Sequence, residues 1–390
     1  MDETVRTGLD GVVADETRLS AIDGDAGQLT IGGFALDELA GNATFEETLF
    51  VLYEDRLPTA DELENFSAEL AEYRALAPAT RSVVEAAAER GQSAMDAARM
   101  GLASASLARP ASAADDVNGE TAAEDSDRDA LIAVAQLPTI VATYWRARED
   151  EELIDPSDDL SHAGNYLYML TGEEPTDSEV RGLETYLNAV VDHGFNASTF
   201  TGRTIASTES DVISAVTGAV GALKGPLHGG APGPVLDMLE ETHAADDVRS
   251  VLATKLDDGE RLMGFGHRVY NVRDPRAAVL SEGAEAFYRA EDGGDEAFYE
   301  SAVETESVAR DLLADRRPDL DLETNVEFYT AIILRGVGIP QPLFSATFAV
   351  ARVGGWTAHA LEQLADNRIV RPRSAYIGEY DRTWTPIDER

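Results

Sequence analysis

A mainly helical, all-α fold is what this sequence predicts. Apolar residues recur at helical spacing through most of the 390-residue chain. One such stretch opens on a Thr-x-x-Glu box at Thr59, a pattern that caps helix starts. Alternating apolar and polar runs, the mark of half-buried strands, are scarce.

In chain order, a short strand pair is expected near Gln28 to Phe34. Thr59 to Leu76 reads as a helix opening on a capping box. Ala111 to Asp129 is small, polar and acidic, and predicts a solvated loop. Ser178 to Gly194 repeats the helical form and ends in glycine, and Glu209 to Leu223 continues it. The acidic cluster Ala290 to Glu300 predicts a surface turn, and Pro340 to Ala365 a last long helix. Heptads and fixed-period repeats are not evident.

Composition excludes several chemistries. Cysteine is absent, so disulfides, zinc–thiolate centres and thiol nucleophiles are ruled out. No His/Asp/Glu spacing suggests a metal site. No apolar run is long enough to span a membrane, and the acidic start MDETVRTGLDGVV lacks the apolar core of a secretory signal. The formal charge is -42 with 44% hydrophobic residues, which is too apolar for an acidic disordered chain. Lys224 and Lys255 are the two lysines; the other 29 basic residues are arginine. Such a surface is expected to repel nucleic acid and suits molar salt, where charge is screened within about 3 Å. An ordinary acidic enzyme remains the alternative.

Three segments depart from the helical background. Gly225-Pro226-Leu227-His228-Gly229-Gly230 leads through Pro232 into a helix. His228 therefore stands just before a helix N-terminus, whose positive end would keep the imidazole neutral. A histidine in a tight turn is the plainer alternative. The second is Gly264-Phe265-Gly266-His267-Arg268-Val269-Tyr270, and Arg261 to Arg276 holds four arginines and one aspartate. This is a local cationic island in an acidic chain, suited to carboxylate or phosphate. The third is Asn325-Val326-Glu327-Phe328-Tyr329-Thr330. Taken alone, Glu327 reads as a first-turn glutamate complementing a helix dipole; partial burial would make it a stronger base.

Together, and in this order, the segments resemble the citrate synthase family. Asp192-His193-Gly194-Phe195-Asn196-Ala197-Ser198, Ala351-Arg352-Val353-Gly354-Gly355, Arg371-Pro372-Arg373-Ser374 and the opening Ser20 to Leu29 support the resemblance, which covers nearly the whole chain. It implies condensation of acetyl-CoA with oxaloacetate and water to citrate and free CoA, with His228, His267 and Glu327 catalytic. His228 would hold the thioester oxygen, His267 would polarise the oxaloacetate carbonyl, and Glu327 would take a methyl proton. His193, Arg276, Arg352 and Arg371 would bind oxaloacetate. Asn196 and Ser198 would orient the histidines. CoA would lie against Leu262, Gly264 and Gly266, with Arg268 and Arg273 as phosphate partners. The resemblance further implies a cytoplasmic homodimer with shared sites, Arg371 reaching the neighbouring site. No permanent cofactor or metal is implied, and no membrane or nucleic-acid partner. A large helical domain (1–221 and 334–390) would carry a smaller closing domain (222–333).

Two positions depart from the family pattern. The usual proton acceptor is aspartate, whereas this chain has Glu327, a methylene longer. Ile31-Gly32-Gly33 replaces the usual Tyr-Arg-Gly. Two alternatives stay open: a 2-methylcitrate synthase using propionyl-CoA, and a silent paralogue that binds citrate or CoA. His162, His243 and His359 read as a helix-face residue, an exposed residue and a packed-helix residue.

Overall fold

The computed structural model describes residues 5–9, 11–109, 119–229, 232–266, 270, 272–317 and 322–390, with the backbone alone for residues 119–123. Among these are sixteen α-helices and one small sheet. The sheet is antiparallel, with β1 (Ser20–Asp23) beside β2 (Gln28–Ile31) and β2 beside β3 (Phe34–Ala35). The expected strand pair is thus the second half of a three-stranded meander, and Gly32-Gly33 is its turn. Leu29 and Ile31 bury one face of β2 against α1 (Leu36–Ala40).

Local signals set many helix starts. Thr44, Thr59 and Thr176 cap α2 (Phe45–Glu54), α3 (Ala60–Glu72) and α8 (Asp177–Val190), each with a reciprocal glutamate three residues on. Each cap is worth about 1 kcal/mol. Between them run α4 (Pro78–Glu89), α5 (Ala94–Ala103), α6 (Gly119–Arg148) and α7 (His162–Thr171). The later helices are α9 (Ala197–Ala206), α10 (Val212–Leu223), α11 (Pro232–His243), α12 (Val248–Asp257), α13 (Pro275–Tyr288), α14 (Glu296–Arg316), α15 (Val326–Gly336) and α16 (Phe344–Ala365).

Two loop expectations need correction. Residues 119–129 belong to α6, and residues 111–118 lie outside the described residues. Five of these eleven residues are carboxylates, which favour a helix start. Asp129 is buried on that helix and paired with Arg109. The expected turn at 290–300 ends at Asp295, because Asp295 caps α14 and Phe298 is fully buried on it.

The core centres on α6 and α16, which pack against each other and are buried on nearly all sides. α9 and α10 cover one flank of α16, and α8 covers another. A helix this enclosed should be apolar all round. Arg352 and His359 break that rule in α16. The glycines beside Arg352 have a packing reason. A Cβ on Gly355 would meet the Val191 carbonyl oxygen at 2.3 Å and Asp192 Oδ1 at 3.0 Å. Glycine there lets α16 press directly onto the strand of chain that carries His193. No helix among the described residues is long and apolar enough to cross a membrane.

Candidate active site

The site is built where α8 ends, α9 and α15 begin, and the middle of α16 passes behind. Asn196 caps α9, its Oδ1 accepting from the backbone N–H groups of Ser198 and Thr199, both at 3.1 Å. Ser198 Oγ lies 2.7 Å from the same oxygen and 2.8 Å from Nε2 of His228. Its one proton serves either acceptor, and Trp356 Nε1–H donates to it at 3.1 Å. The Ser198 backbone N–H also points at His228 Nε2, at 3.3 Å. A backbone N–H can only donate, so Nε2 accepts and the ring proton belongs on Nδ1. The helix N-terminus that meets this ring is that of α9. His228's pKa is lowered, as expected, but the causes are burial first and the Arg352 charge second. The imidazole is neutral at pH 7.

His193 and the two buried arginines form the next cluster. His193 Nε2 lies 3.0 Å from the Tyr270 hydroxyl. The Arg276 guanidinium lies 5.9 Å from the same tyrosine ring. Burial pushes the Tyr270 pKa up to about 12, so it remains a phenol. Asp274 caps α13, Pro275 occupies its first turn, and Asp274 accepts from Arg276 three times: backbone N at 3.0 Å, Nε at 3.0 Å and Nη2 at 2.8 Å. Burial works against the Arg276 charge, but this fork outweighs it and the pKa rises. Losing the Asp274 charge would leave an uncompensated cation, a cost of about 3–5 kcal/mol. Arg352 has weaker support. Its Nε–H donates to the Val190 carbonyl at 2.7 Å, and its guanidinium lies 4.6 Å from the Phe348 ring centre. Burial drives its pKa down to about 10; Asp192 pulls it up and Arg276 pushes it down. Arg352 is thus the buried guanidinium with the less support, and a dicarboxylate shared with Arg276 would supply it.

The glycine loop reaches the site by pairing with distant chain. Gly266 N–H donates to the Glu323 carbonyl at 2.7 Å, and Asn325 N–H to that of Gly264 at 2.9 Å. The Asn325 side chain donates to the Gly266 carbonyl at 3.0 Å and accepts from Glu327 N–H at 3.0 Å. One residue thus caps α15 and holds the loop. Gly264 has φ +89° and stands where a Cβ would come within 3.0 Å of the Phe328 ring, so both conformation and space require glycine. Leu262 is buried beneath the loop. Glu327 follows the cap and is half-buried. Burial raises its pKa, with the nearby Asp274 charge adding to the rise; Arg276 and the Asn325 hydrogen bond pull it back.

His193, Asn196, Ser198, His228, Arg276, Glu327, Arg352 and the loop glycines Gly264 and Gly266 are therefore joined by hydrogen bonds, ring contacts or mutual electrostatics. His267 and Arg268 lie outside the described residues. Arg273 is directed to Ser281 at 3.3 Å and Glu306 at 3.7 Å, with Tyr329 beneath it. Arg371 stands on the exposed tail after α16. Sequence reasoning missed the parts played by Tyr270, Asp274 and Trp356. For Asp274 a signal existed: Asp-Pro-Arg is an N-cap, a first-turn proline and an arginine within reach of the cap. Among the described residues no cluster suited to a metal ion occurs.

An almost all-α chain that gathers neutral imidazole, a carboxylate of raised pKa and paired buried arginines around one glycine loop belongs, by class, to the enzymes. The family described as "Citrate synthase, C-terminal domain" matches residues 8–373. A citrate synthase of Haloferax volcanii is 43% identical over 391 residues, covering all of both chains. A 2-methylcitrate synthase of Shewanella oneidensis is 35% identical over 384 residues, 98% of this chain and 97% of that one. Among solved structures, the ternary complex of carboxymethyl coenzyme A and oxaloacetate with citrate synthase from Thermoplasma acidophilum superposes with a TM-score of 0.83 at 29% identity, over 99% of this chain and 100% of that one. The chain belongs to the citrate synthase family.

Proposed function

We propose that this chain condenses acetyl-CoA with oxaloacetate and water to give citrate and free CoA at the cluster described above. The observation that carries the reading is the pair of buried arginines, Arg276 and Arg352, with Tyr270 linking Arg276 to His193. They suit the two carboxylates of oxaloacetate. Glu327 takes a proton from the acetyl methyl group, and His228, with its proton on Nδ1, steadies the thioester oxygen as negative charge develops there. The enol carbon attacks the oxaloacetate carbonyl, which His267 polarises, and the new alkoxide takes up a proton. Water then hydrolyses citryl-CoA to citrate and the CoA thiol. CoA lies along Leu262, Gly264 and Gly266, with Arg268 and Arg273 toward its phosphates. No metal or resident cofactor enters this scheme.

On the same reading residues 222–333 form a smaller domain that closes over oxaloacetate and excludes water. The protein is a cytoplasmic homodimer adapted to salt, and Arg371 completes the partner's site. The tail after α16 supports the dimer, since Ile369, Tyr376, Ile377, Tyr380, Trp384 and Ile387 are all exposed along it. An apolar face of that extent suits a second copy.

Thiol release in molar potassium chloride tests the reading against its relatives. With oxaloacetate present, kcat/KM for acetyl-CoA is expected to exceed that for propionyl-CoA by about tenfold or more, the scale on which one methylene is discriminated. The reverse preference would assign 2-methylcitrate synthesis instead. No release from folded protein with either thioester would leave a silent binding protein.

A further inference from the structure

Behind the arginine cluster runs a buried polar chain that the scheme above leaves unused. His359 lies on α16 and is 1% exposed. Its Nδ1 is 3.1 Å from Arg203 Nη1. Arginine only donates, so Nδ1 accepts and the ring proton is on Nε2. That nitrogen faces Asp192, at 3.2 Å from Oδ1 and 3.3 Å from Oδ2. Asp192 is fully buried, adjoins His193 in sequence, and receives the Ser20 hydroxyl on Oδ2. Gly194 N–H is held by Ser20 Oγ at 3.0 Å and Asp192 Oδ2 at 3.4 Å. At the other end Arg203 is fixed by Gln363, Glu362 and Asp15, and the Phe195 ring lies 4.8 Å from its guanidinium.

We propose that His359 and Asp192 are positioning residues for oxaloacetate: the Arg203–His359–Asp192 chain fixes the Asp192 carboxylate, which in turn sets His193 and Arg352. The inference deepens the proposed function and rests on it. Three features support it. Asp192 is fully buried and receives donors from Ser20, Gly194 and His359, as a carboxylate held in the core requires. Its charge is the largest influence favouring the charged form of Arg352. And Gly355 brings α16 against Val191 and Asp192 so closely that a displaced carboxylate would shift both walls of the oxaloacetate cluster. His359 itself touches no substrate in this scheme; it acts through the carboxylate it donates to.

A merely structural histidine and a positioning one differ in which constant they move. His359→Leu removes both hydrogen bonds. His359→Gln keeps an amide N–H that can reach Asp192. Steady-state constants for both substrates, oxaloacetate Kd by calorimetry and Tm are measured for the parent and both variants in molar potassium chloride. The expected result is an oxaloacetate KM and Kd raised about tenfold or more by His359→Leu, the scale of a buried charge losing its donor, with the acetyl-CoA KM at saturating oxaloacetate within about twofold. His359→Gln should recover most of the loss. Unchanged oxaloacetate constants, or a loss of kcat with both KM values unaltered, would overturn the inference. If His359→Leu does not fold, Asp192→Asn, which keeps the shape and removes the charge, carries the same expectation. A parent protein that neither turns over nor binds oxaloacetate would instead refute the proposed function, and the inference with it.

Discussion

Glu327→Gln should lower kcat by about 10²–10⁴-fold, the usual contribution of a positioned base, while leaving oxaloacetate affinity near that of the parent. The carboxamide keeps the size of the side chain and cannot accept the methyl proton. Arg276 and Arg352 are untouched, so the dicarboxylate should still bind. The pH profile carries the sign. A base must be ionised, and Glu327 is held above the ordinary carboxylate range by burial and by the Asp274 charge. Activity is therefore present above that raised pKa and is lost as pH falls through it. In Glu327→Gln this acid limb should vanish from the residual rate. His228 adds no competing limb near neutrality, because burial and Arg352 keep it neutral there. An acid limb that persists in Glu327→Gln would mean that another group accepts the proton. The same site makes Glu327→Asp informative. The shorter side chain withdraws the carboxylate by about 1.5 Å, and misplacement of about 1 Å can cost roughly a hundredfold. A slower Asp variant would mean that the surroundings are fitted to glutamate.

The second large effect concerns the tail. Arg371→Leu alone should reduce turnover to a small residual rate if that arginine serves the neighbouring site, as Glu327→Gln does alone. Dissociated and reassociated together in equal amounts, the two impaired proteins should regain about one quarter of parent activity. Half of the dimers would be mixed. In each mixed dimer one site would combine an intact Glu327 from one subunit with an intact Arg371 from the other. Recovery near zero would place Arg371 in its own subunit's site, or outside the site altogether. Arg371 sits on an exposed, apolar-rich tail, so a purely intramolecular role would leave that surface without a partner.

Much of the fold was legible because its signals are local. Thr59 with Glu62 announces the start of α3 from four residues, and the structure forms both halves of that box. The acidic stretch that opens α6 reads as a loop from its composition alone. What supports it as helix lies elsewhere in the chain: Asp129 finds its cation in Arg109, twenty residues away. The candidate site shows the same division. His228 and Glu327 stand out as polar residues among glycine or apolar neighbours. Their supports do not, because those depend on residues far apart in sequence. Ser198 meets His228 across thirty positions, and Asn325 meets Gly266 across fifty-nine. His359 looked like one more helix-packing residue. Its importance follows from Asp192, 167 positions earlier, which no helical spacing could reveal.

If this cluster joins two substrates, CoA release by the parent protein must depend on both. Purified protein in molar potassium chloride is given acetyl-CoA with and without oxaloacetate, and free thiol and citrate are quantified together. Thiol release is expected only when oxaloacetate is present, with one citrate formed for each thiol. Equal release without oxaloacetate, or thiol without citrate, would show a thioesterase in place of a condensing enzyme and contradict the proposed condensation.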